Sequence, residues 1–510
     1  MFAEVADGGR RIGAALVNEK WREVSLMGYI NGTARSQVVL FPEVLDDYLE
    51  ETNTVRAVAA FVEYLNFKEL AFVRAEPAET GRPGYDPRVM LGVYIWGHLN
   101  GVRSARRLER ECRRNVELLW LTGKLFPDFK TIANFRKHNG RALQEVLVEF
   151  RLWCDGEGLY GKELAAVDGS KFKAVNSMGR NYTKERLRKL IKRAEAKVAQ
   201  YLKELAAADE QDGEEEEQAL SAAELKQKIA RLKERLEKQK QLQQQLAESG
   251  EQQISLTDPD ARLMRMSKGT DVCYNLQAAV DSKHKLIVAL EVTNAGADQG
   301  QLSQIAKQAK AALAVDHLVV VGDGGYFEGS TLKECEDAGI TTYVPVEEAD
   351  GATGRGIFPR RQFHYDEQKD LYVCPAGAAL SVIRQYQSQR KKGLKTKVYG
   401  TEACAGCALR QQCTTSQRGR TIERWVDQAV IERQAQRNQA HPELQRLRGS
   451  LIEHVFGTIK RAMGHTHFLT KGKEQVATEA SLMALSYNFK RVTTILGVAR
   501  MTSSFALNAR

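Results

Sequence analysis

Along residues 55–65 the apolar side chains Val55, Val58, Ala59, Val62 and Leu65 recur three and four positions apart, the spacing of one helix face. A break at Gly81-Arg82-Pro83-Gly84 follows, and Asp86-Pro87 is placed to open a second helix with proline at its first position. From residue 163 the period changes. Leu164-Ala165-Ala166-Val167-Asp168 is a short apolar run ending in an acid, the pattern of a buried strand. Residues 272–281 and 285–292 flank the turn Ser282-Lys283-His284 and predict a β-hairpin. Residues 301–314 predict a helix, 317–323 another buried strand ending in an acid, and 340–344 a further strand. That order implies a mixed α/β sheet.

A helical insertion splits the first strand from the hairpin. Leu187, Ile191, Ala194, Val198, Tyr201, Leu205 and Ala208 alternate steps of four and three; Leu225, Ile229, Leu232 and Leu236 repeat this, and Leu246 rejoins the register. With the polar run 209–218 between them, the two halves predict an antiparallel coiled-coil hairpin over residues 180–250, each arm roughly 40 Å long. A rigid structural arm, a dimerisation device and a DNA clamp all suit this pattern.

Composition adds a partner. The chain of 510 residues carries 75 basic and 65 acidic residues, net +10, a balance that suits a polyanion such as nucleic acid but also an ordinary soluble protein. Residues 1–20 hold Arg10 and Arg11 without a sustained apolar run behind them, so no secretory signal is expected. No stretch approaches the roughly 18 apolar residues of a membrane span. A cytoplasmic protein without membrane contact is expected.

The positive charge is concentrated. Arg103, Arg106, Arg107, Arg110, Arg113 and Arg114 fall three and four apart and predict one continuous stripe on a helix, with Lys130 opening another short basic helix over residues 130–138. Short helices with a basic stripe fit a helix-turn-helix-like DNA-binding module; a solvated charged face is the other reading. Of the eight cysteines, Cys374, Cys404, Cys407 and Cys413 form a local set. The two-residue spacer between Cys404 and Cys407 lets two thiolates chelate one ion, and a closed four-thiolate set suits structural Zn²⁺; unrelated thiols remain the alternative. The other four cysteines are expected in the core.

The strongest chemistry is in the carboxylates. Asp168 and Asp323 each end a predicted strand and precede a glycine, where a substrate backbone could approach. If the strands are neighbours, both acids emerge at one edge. Residues 448–460 predict a helix with Ile452, Val455, Phe456 and Ile459 on its apolar face and with Glu453 and Lys460 stacked two turns apart. Three acids from different elements are what two divalent ions about 4 Å apart require for phosphodiester chemistry. Competing acids are read structurally: Asp258 and Asp260 as a turn, Asp281 as the opening of the hairpin turn, and Asp298 as a helix cap.

These residues resemble a known family. Val167-Asp168-Gly169-Ser170, residues 322–327 (GDGGYF) and residues 452–460 (IEHVFGTIK) are similar to the three motifs of the Asp-Asp-Glu (DDE) transposases of bacterial insertion sequences. Residues 81–88 (GRPGYDPR), 108–115 (LERECRRN) and 128–132 (DFKTI) resemble the N-terminal domain of a branch in which a cysteine-bearing insertion precedes the catalytic Glu. The resemblance spans residues 41–497. It implies an RNase H-like mixed sheet with helices on both faces, and Asp168, Asp323 and Glu453 as ligands of two Mg²⁺ ions, with Mn²⁺ able to substitute. Tyr326, Arg448 and Lys460 are implied as DNA contacts. The family places an arginine four residues before the glutamate; here Gly449 stands there and Arg448 is adjacent. The expected domains are an arm and helix over 1–75, a helical DNA-binding domain over 76–160, a catalytic domain over 161–345 carrying the coiled coil at 180–250, a zinc-binding insertion over 346–428, and the last catalytic part over 429–510. The expected function is cleavage of element ends and strand transfer into target DNA by a homodimer on double-stranded DNA bearing terminal inverted repeats. A nuclease that cuts without joining and a domesticated DNA-binding protein are the alternatives.

Overall fold

A computed structural model of the protein describes residues 44–76, 84–209, 216–346, 356–388 and 394–508. The expected N-terminal arm before residue 44, the break at Gly81-Arg82-Pro83 and most of the turn between the coiled-coil arms lie outside the described residues. Residues 1–49 form one unit, described only by the turn Leu45–Tyr48; residues 50–510 form the second, which holds everything below.

The second unit opens with six helices: α1 (Thr54–Tyr64), α2 (Pro87–Leu99), α3 (Ala105–Cys112), α4 (Val116–Thr122), α5 (Phe129–His138) and α6 (Gly140–Gly156). Their starts follow from local chemistry. Asn53, Asp86, Asn115 and Asp128 each accept a hydrogen bond from a first-turn backbone amide, and Pro87 takes the first turn of α2.

The main sheet comprises β1 (Leu164–Lys173), β4 (Arg262–Met266), β5 (Gly269–Asp281), β6 (Ile287–Thr293), β7 (Leu318–Val321) and β8 (Ile340–Tyr343). β1 runs antiparallel to β5 on one side and parallel to β7 on the other, and β7 is parallel to β8. β4 and β6 both pair with β5. Ala165, Ala166 and Val167 are all buried although they alternate in direction, so both faces of β1 are covered. The mixed sheet expected from the order of elements is present.

Between β1 and β4, the short strands β2 (Asn181–Thr183) and β3 (Gln253–Ser255) pair at the base of the helical arm, formed by α7 (Lys184–Asp209) and α8 (Glu216–Glu248). The two helices pack on each other through Leu187, Ile191, Ala194, Ile229 and Leu246, and Lys240 pairs with Glu195 across them at 2.9 Å. After β6 come α9 (Leu302–Leu313), which packs on the sheet, and α10 (Gly329–Asp337) between β7 and β8.

Residues 364–425 form a separate five-stranded antiparallel sheet of β9 (His364–Asp366), β10 (Leu371–Val373), β11 (Ala379–Ser388), β12 (Leu394–Gly400) and β13 (Ile422–Trp425), with the short helix α11 (Arg410–Cys413) before its last strand. Phe363, Tyr372, Leu380, Tyr399 and Ile422 are its core. The chain returns through α12 (Gln428–Ala440) to a helical stretch from Pro442 to Ala462, made of α13 (Pro442–Arg448), a π turn Gly449–Glu453, α14 (His454–Gly457) and a second π turn Thr458–Ala462. Two helices follow, α15 (Lys473–Leu496) and α16 (Val498–Leu507).

The N-terminal helices pack on this C-terminal pair. Phe61 of α1 meets Phe489 and Phe505, with ring centroids 6.0 and 5.3 Å apart; Phe150 of α6 meets Phe489 at 5.4 Å, and Trp153 meets Phe505 at 4.2 Å. Asn488 brackets the backbone of Ile287 through both its amide atoms (2.8 and 2.9 Å), fixing α15 on β6.

Candidate active site

Because β1 and β7 are parallel neighbours with Ala166 opposite Val321, Asp168, still within β1, and Asp323, two residues past the end of β7, follow at the same level. Asp168 is mostly enclosed, its side chain 19% exposed. Its Oδ1 accepts the Gly169 amide at 2.8 Å. Asp323 accepts the Gly325 amide at 3.0 Å and starts the short turn Gly324–Tyr326. Burial, and next the Asp323 charge, raise the Asp168 carboxyl to about 6; the Gly169 amide and Arg448 act against this. Two acids are thus held together with their repulsion only partly relieved.

Glu453 arrives on the helical stretch whose apolar side, Leu451, Ile452, Val455, Phe456 and Ile459, is buried against the sheet. An α turn returns to the same side after about 3.6 residues, a π turn after one more. The π turn Gly449–Glu453 therefore puts Arg448, five residues ahead, where an arginine four ahead would stand in an α-helix. Arg448 Nη2 lies 3.4 Å from Glu453 Oε1, and Nη1 lies 3.8 Å from Asp168 Oδ2. Arg448 is thus the link between the two acids, while the Glu453 side chain is 67% exposed. Lys460 is anchored on β1: its Nζ donates to Ser170 Oγ (2.7 Å) and to the Lys171 carbonyl (2.9 Å), and stands 4.4 Å from the Phe172 ring. Burial lowers its pKa.

Side chains alternate along a strand, so Gly169 faces away from Asp168. Beside it lies a polar network that the sequence reading missed. Asp298 Oδ1 accepts the side-chain amides of Asn275 (2.8 Å) and Gln277 (2.7 Å), and the Tyr326 hydroxyl donates to Gln277 Oε1. Asp298 does not cap α9 with its side chain. Tyr326 is fully buried, and burial raises its hydroxyl pKa well above the ordinary range. Its expected role as a DNA contact is corrected: it braces Gln277 from inside. The signal in the sequence was Asn275 and Gln277, two amides inside an otherwise apolar strand. Asp281, as expected, closes the hairpin turn, accepting from the Gly161, Lys162 and Lys283 amides; Asp258 and Asp260 hold the loop before α15.

The arginine stripe divides. Arg103 precedes α3 and is buried, donating to Glu479 (3.2 Å) and to the His467 carbonyl (2.6 Å). Its expected DNA contact is corrected, because a guanidinium sealed against a buried carboxylate is unavailable to a phosphate. Arg106, Arg107, Arg110, Arg113, Arg114 and Lys130 are exposed. Arg106 lies over Phe129 (5.2 Å), Arg113 over Phe126 (5.6 Å), and Arg114 pairs with Glu111.

Cys374, Cys404, Cys407 and Cys413 line one pocket with Phe358 and Phe363. Burial raises the Cys413 thiol, and the other three sulfurs add to this. The remaining cysteines, Cys112, Cys154, Cys273 and Cys335, are buried, as expected. Among the described residues no group of three or more His, Cys, Asp or Glu side chains is set to hold a metal ion, either here or around Asp168. No helix among them is long and apolar enough to cross a membrane.

Two family models match the sequence. One, described as a transposase DDE domain, covers residues 373–493, which include Glu453 and the four cysteines. The other, described as a transposase domain (DUF772), covers residues 43–138, which include the exposed arginines. Neither reaches Asp168 or Asp323. No curated protein matches. Among solved structures the chain is similar to a piggyBac transposase synaptic complex with hairpin DNA, determined by cryo-EM, at 7% identity and a TM-score of 0.31, over 90% of this chain and 80% of that one; a likeness this faint carries no argument. The two transposase-domain matches support a DNA transposase of the insertion-sequence DDE family.

Proposed function

We propose that this transposase cuts element ends and joins them to target DNA in one pocket built on Asp168, Asp323 and Glu453. The observation that carries the reading is the placement of Asp168 in β1 and Asp323 just past the end of the parallel neighbour β7, at one level, with Asp323 helping to raise the Asp168 carboxyl. A divalent cation would relieve that repulsion, so the donor pair suits Mg²⁺, with Mn²⁺ able to substitute. Glu453 would complete the set on leaving Arg448, one turn away. When bound, the two ions would supply nucleophile activation and stabilisation of the leaving oxygen. The strand order, with β1 between antiparallel β5 and parallel β7, supports an RNase H-like catalytic domain.

In this reading water attacks a phosphodiester at the element end and the 3′ hydroxyl leaves; that hydroxyl then attacks a phosphodiester of target DNA, and the target strand's own 3′ hydroxyl leaves. Lys460, pinned to β1, and Arg448 would face phosphate oxygens. The exposed arginines of α3 and Lys130 would bind double-stranded DNA at the terminal repeats, mostly through phosphates. Handling two ends together calls for a homodimer on DNA, in the cytoplasm. A structural Zn²⁺ at the four cysteines that line one pocket would show as about one zinc per chain on elemental analysis.

The test is a cleavage gel on labelled DNA flanking the gene, with Mg²⁺, plus a pre-cut end to isolate joining. Mg²⁺-dependent nicks and strand-transfer products are expected. Nicks without joined products would leave a nuclease, and neither product would leave a DNA-binding protein.

A further inference from the structure

Next to Gly169 lies an open pocket of which the proposed chemistry uses only Lys460. β1 borders it with Ser170 and Lys171, the helix of Glu453 with Lys460, and the end of β4 with Arg265 and Ser267. Three cations therefore meet at one opening. Arg265 is exposed, and among the described residues neither its guanidinium nor the Lys171 ammonium has a hydrogen bond or ion pair. The nearby Lys173 is already matched by Asp271, at 2.5 Å. Lys460 spends its hydrogen bonds on a hydroxyl and a carbonyl, so they leave its charge uncompensated. One carboxylate, Asp298, lies in the same pocket, and its Oδ1 already accepts two amides. Three positive charges against one negative leave a site for an anion, within one residue of Asp168.

We propose that this pocket holds a backbone phosphate of the DNA strand next to the linkage being cut, with Arg265 and Lys171 as its ligands and Lys460 behind them. The proposal rests on the transposase chemistry above and adds to it a register-setting contact. A phosphate seated beside Gly169 fixes which neighbouring linkage reaches Asp168 and Asp323. Arginine suits the role, since its planar fork can meet two phosphate oxygens at once. The β4–β5 hairpin then acts as a finger on the strand.

The test uses the full chain and labelled duplexes from the DNA flanking the gene, with single methylphosphonate linkages placed one at a time across the cut site. Arg265→Ala and Lys171→Ala are expected to flatten the log–log salt dependence of binding by about one unit each, with Arg265→Lys retaining most of the slope. One methylphosphonate position is expected to weaken wild-type binding and shift its cut site, yet to leave Arg265→Ala unaffected. Wild-type slope in both alanine variants, or loss at the same linkages in wild type and Arg265→Ala, overturns the inference while wild-type cutting keeps the parent reading. If the wild type neither binds nor cuts these duplexes, both fall.

Discussion

The Asp298 carboxylate lies against the bare Cα of Gly169: a β-carbon added there would stand 2.1 Å from Asp298 Oδ1 and 2.4 Å from Gln277 Nε2. Only glycine lets the Asn275–Gln277–Asp298 network sit flush against the strand that carries Asp168. Gly169→Ala is therefore expected to push the network outward and tilt β1. Overpacking of this kind costs about 1–3 kcal/mol, and a displacement of about 1 Å at the reacting groups costs about 10²-fold in rate. A thermal melt and a cleavage assay on the same preparation check both. A variant with wild-type rate would show that the network and Asp168 move independently.

Asp323→Asn keeps the shape of the side chain and removes its charge. Cleavage and joining are both expected to fall by about 10²-fold or more, because one pocket serves both steps. Folding is expected to survive, and the Asp168 carboxyl to titrate lower once its charged neighbour is gone. Asp281→Asn serves as a contrast: its carboxylate accepts three backbone amides, so stability falls instead of the chemistry being touched directly. Full cutting by Asp323→Asn would remove that acid from the site.

The arginines of the N-terminal helices are expected to fail in two different ways. Arg103→Met strands the Glu479 carboxylate, which is 1% exposed, and removing one partner of a buried pair costs about 3–5 kcal/mol. Urea unfolding reads that loss. Arg107→Ala with Arg110→Ala leaves stability alone and flattens the salt dependence of DNA binding by about one unit per lost phosphate contact. An unchanged slope in the double variant would make those two residues a plain solvated surface.

Acid is expected to loosen the junction between α2 and the loop after the Glu453 helix. His465 is buried, stacks on His98 at 5.6 Å and lies near Arg103; burial, then Arg103, lower its pKa from 6.5 to about 4. His98 is lowered in the same sense by burial and by His465. The unfolded chain takes up a proton here near pH 6.5 and the folded chain only near 4, so between those values acidification favours unfolding. The loss for His465 is on the order of 3 kcal/mol across that window. Urea titrations at pH 7.5 and pH 5 are expected to read about 2 kcal/mol of it, since pH 5 lies partway through the window, and His465→Gln is expected to flatten the difference. A wild-type protein equally stable at both values would contradict the neutral buried pair.

Much of this could be read from pattern. Asp168 and Asp323 stand together because two short apolar runs, each ending in an acid, became neighbouring strands; periodicity anticipates the two strands, while their pairing came from the sheet topology. The arm's register is equally plain, and Gln239, 5% exposed, takes one of the two seam positions between Leu236 and Leu246. What escaped was set by distant partners. Arg103 looks like the start of a stripe until Glu479 closes over it, and Tyr326 looks like a surface aromatic until Gln277 claims its hydroxyl. The sheet of residues 364–425 was hidden for another reason. β9 and β10 are three residues long, too short to show a period, and β11 mixes polar and apolar side chains because much of it is exposed.

The π turn Gly449–Glu453 changes how the glutamate motif should be counted. A helix that absorbs one extra residue as a bulge keeps its two ends facing as before, so a spacing of five can do the work of a spacing of four. Distance in the chain and position on the surface become separate quantities. A motif search that insists on a fixed gap would reject this arginine, whereas one that counts turns would accept it. Deleting Gly449 would shorten the gap to the family's spacing and let the turn relax to an ordinary α-helix, with Arg448 still between the two acids.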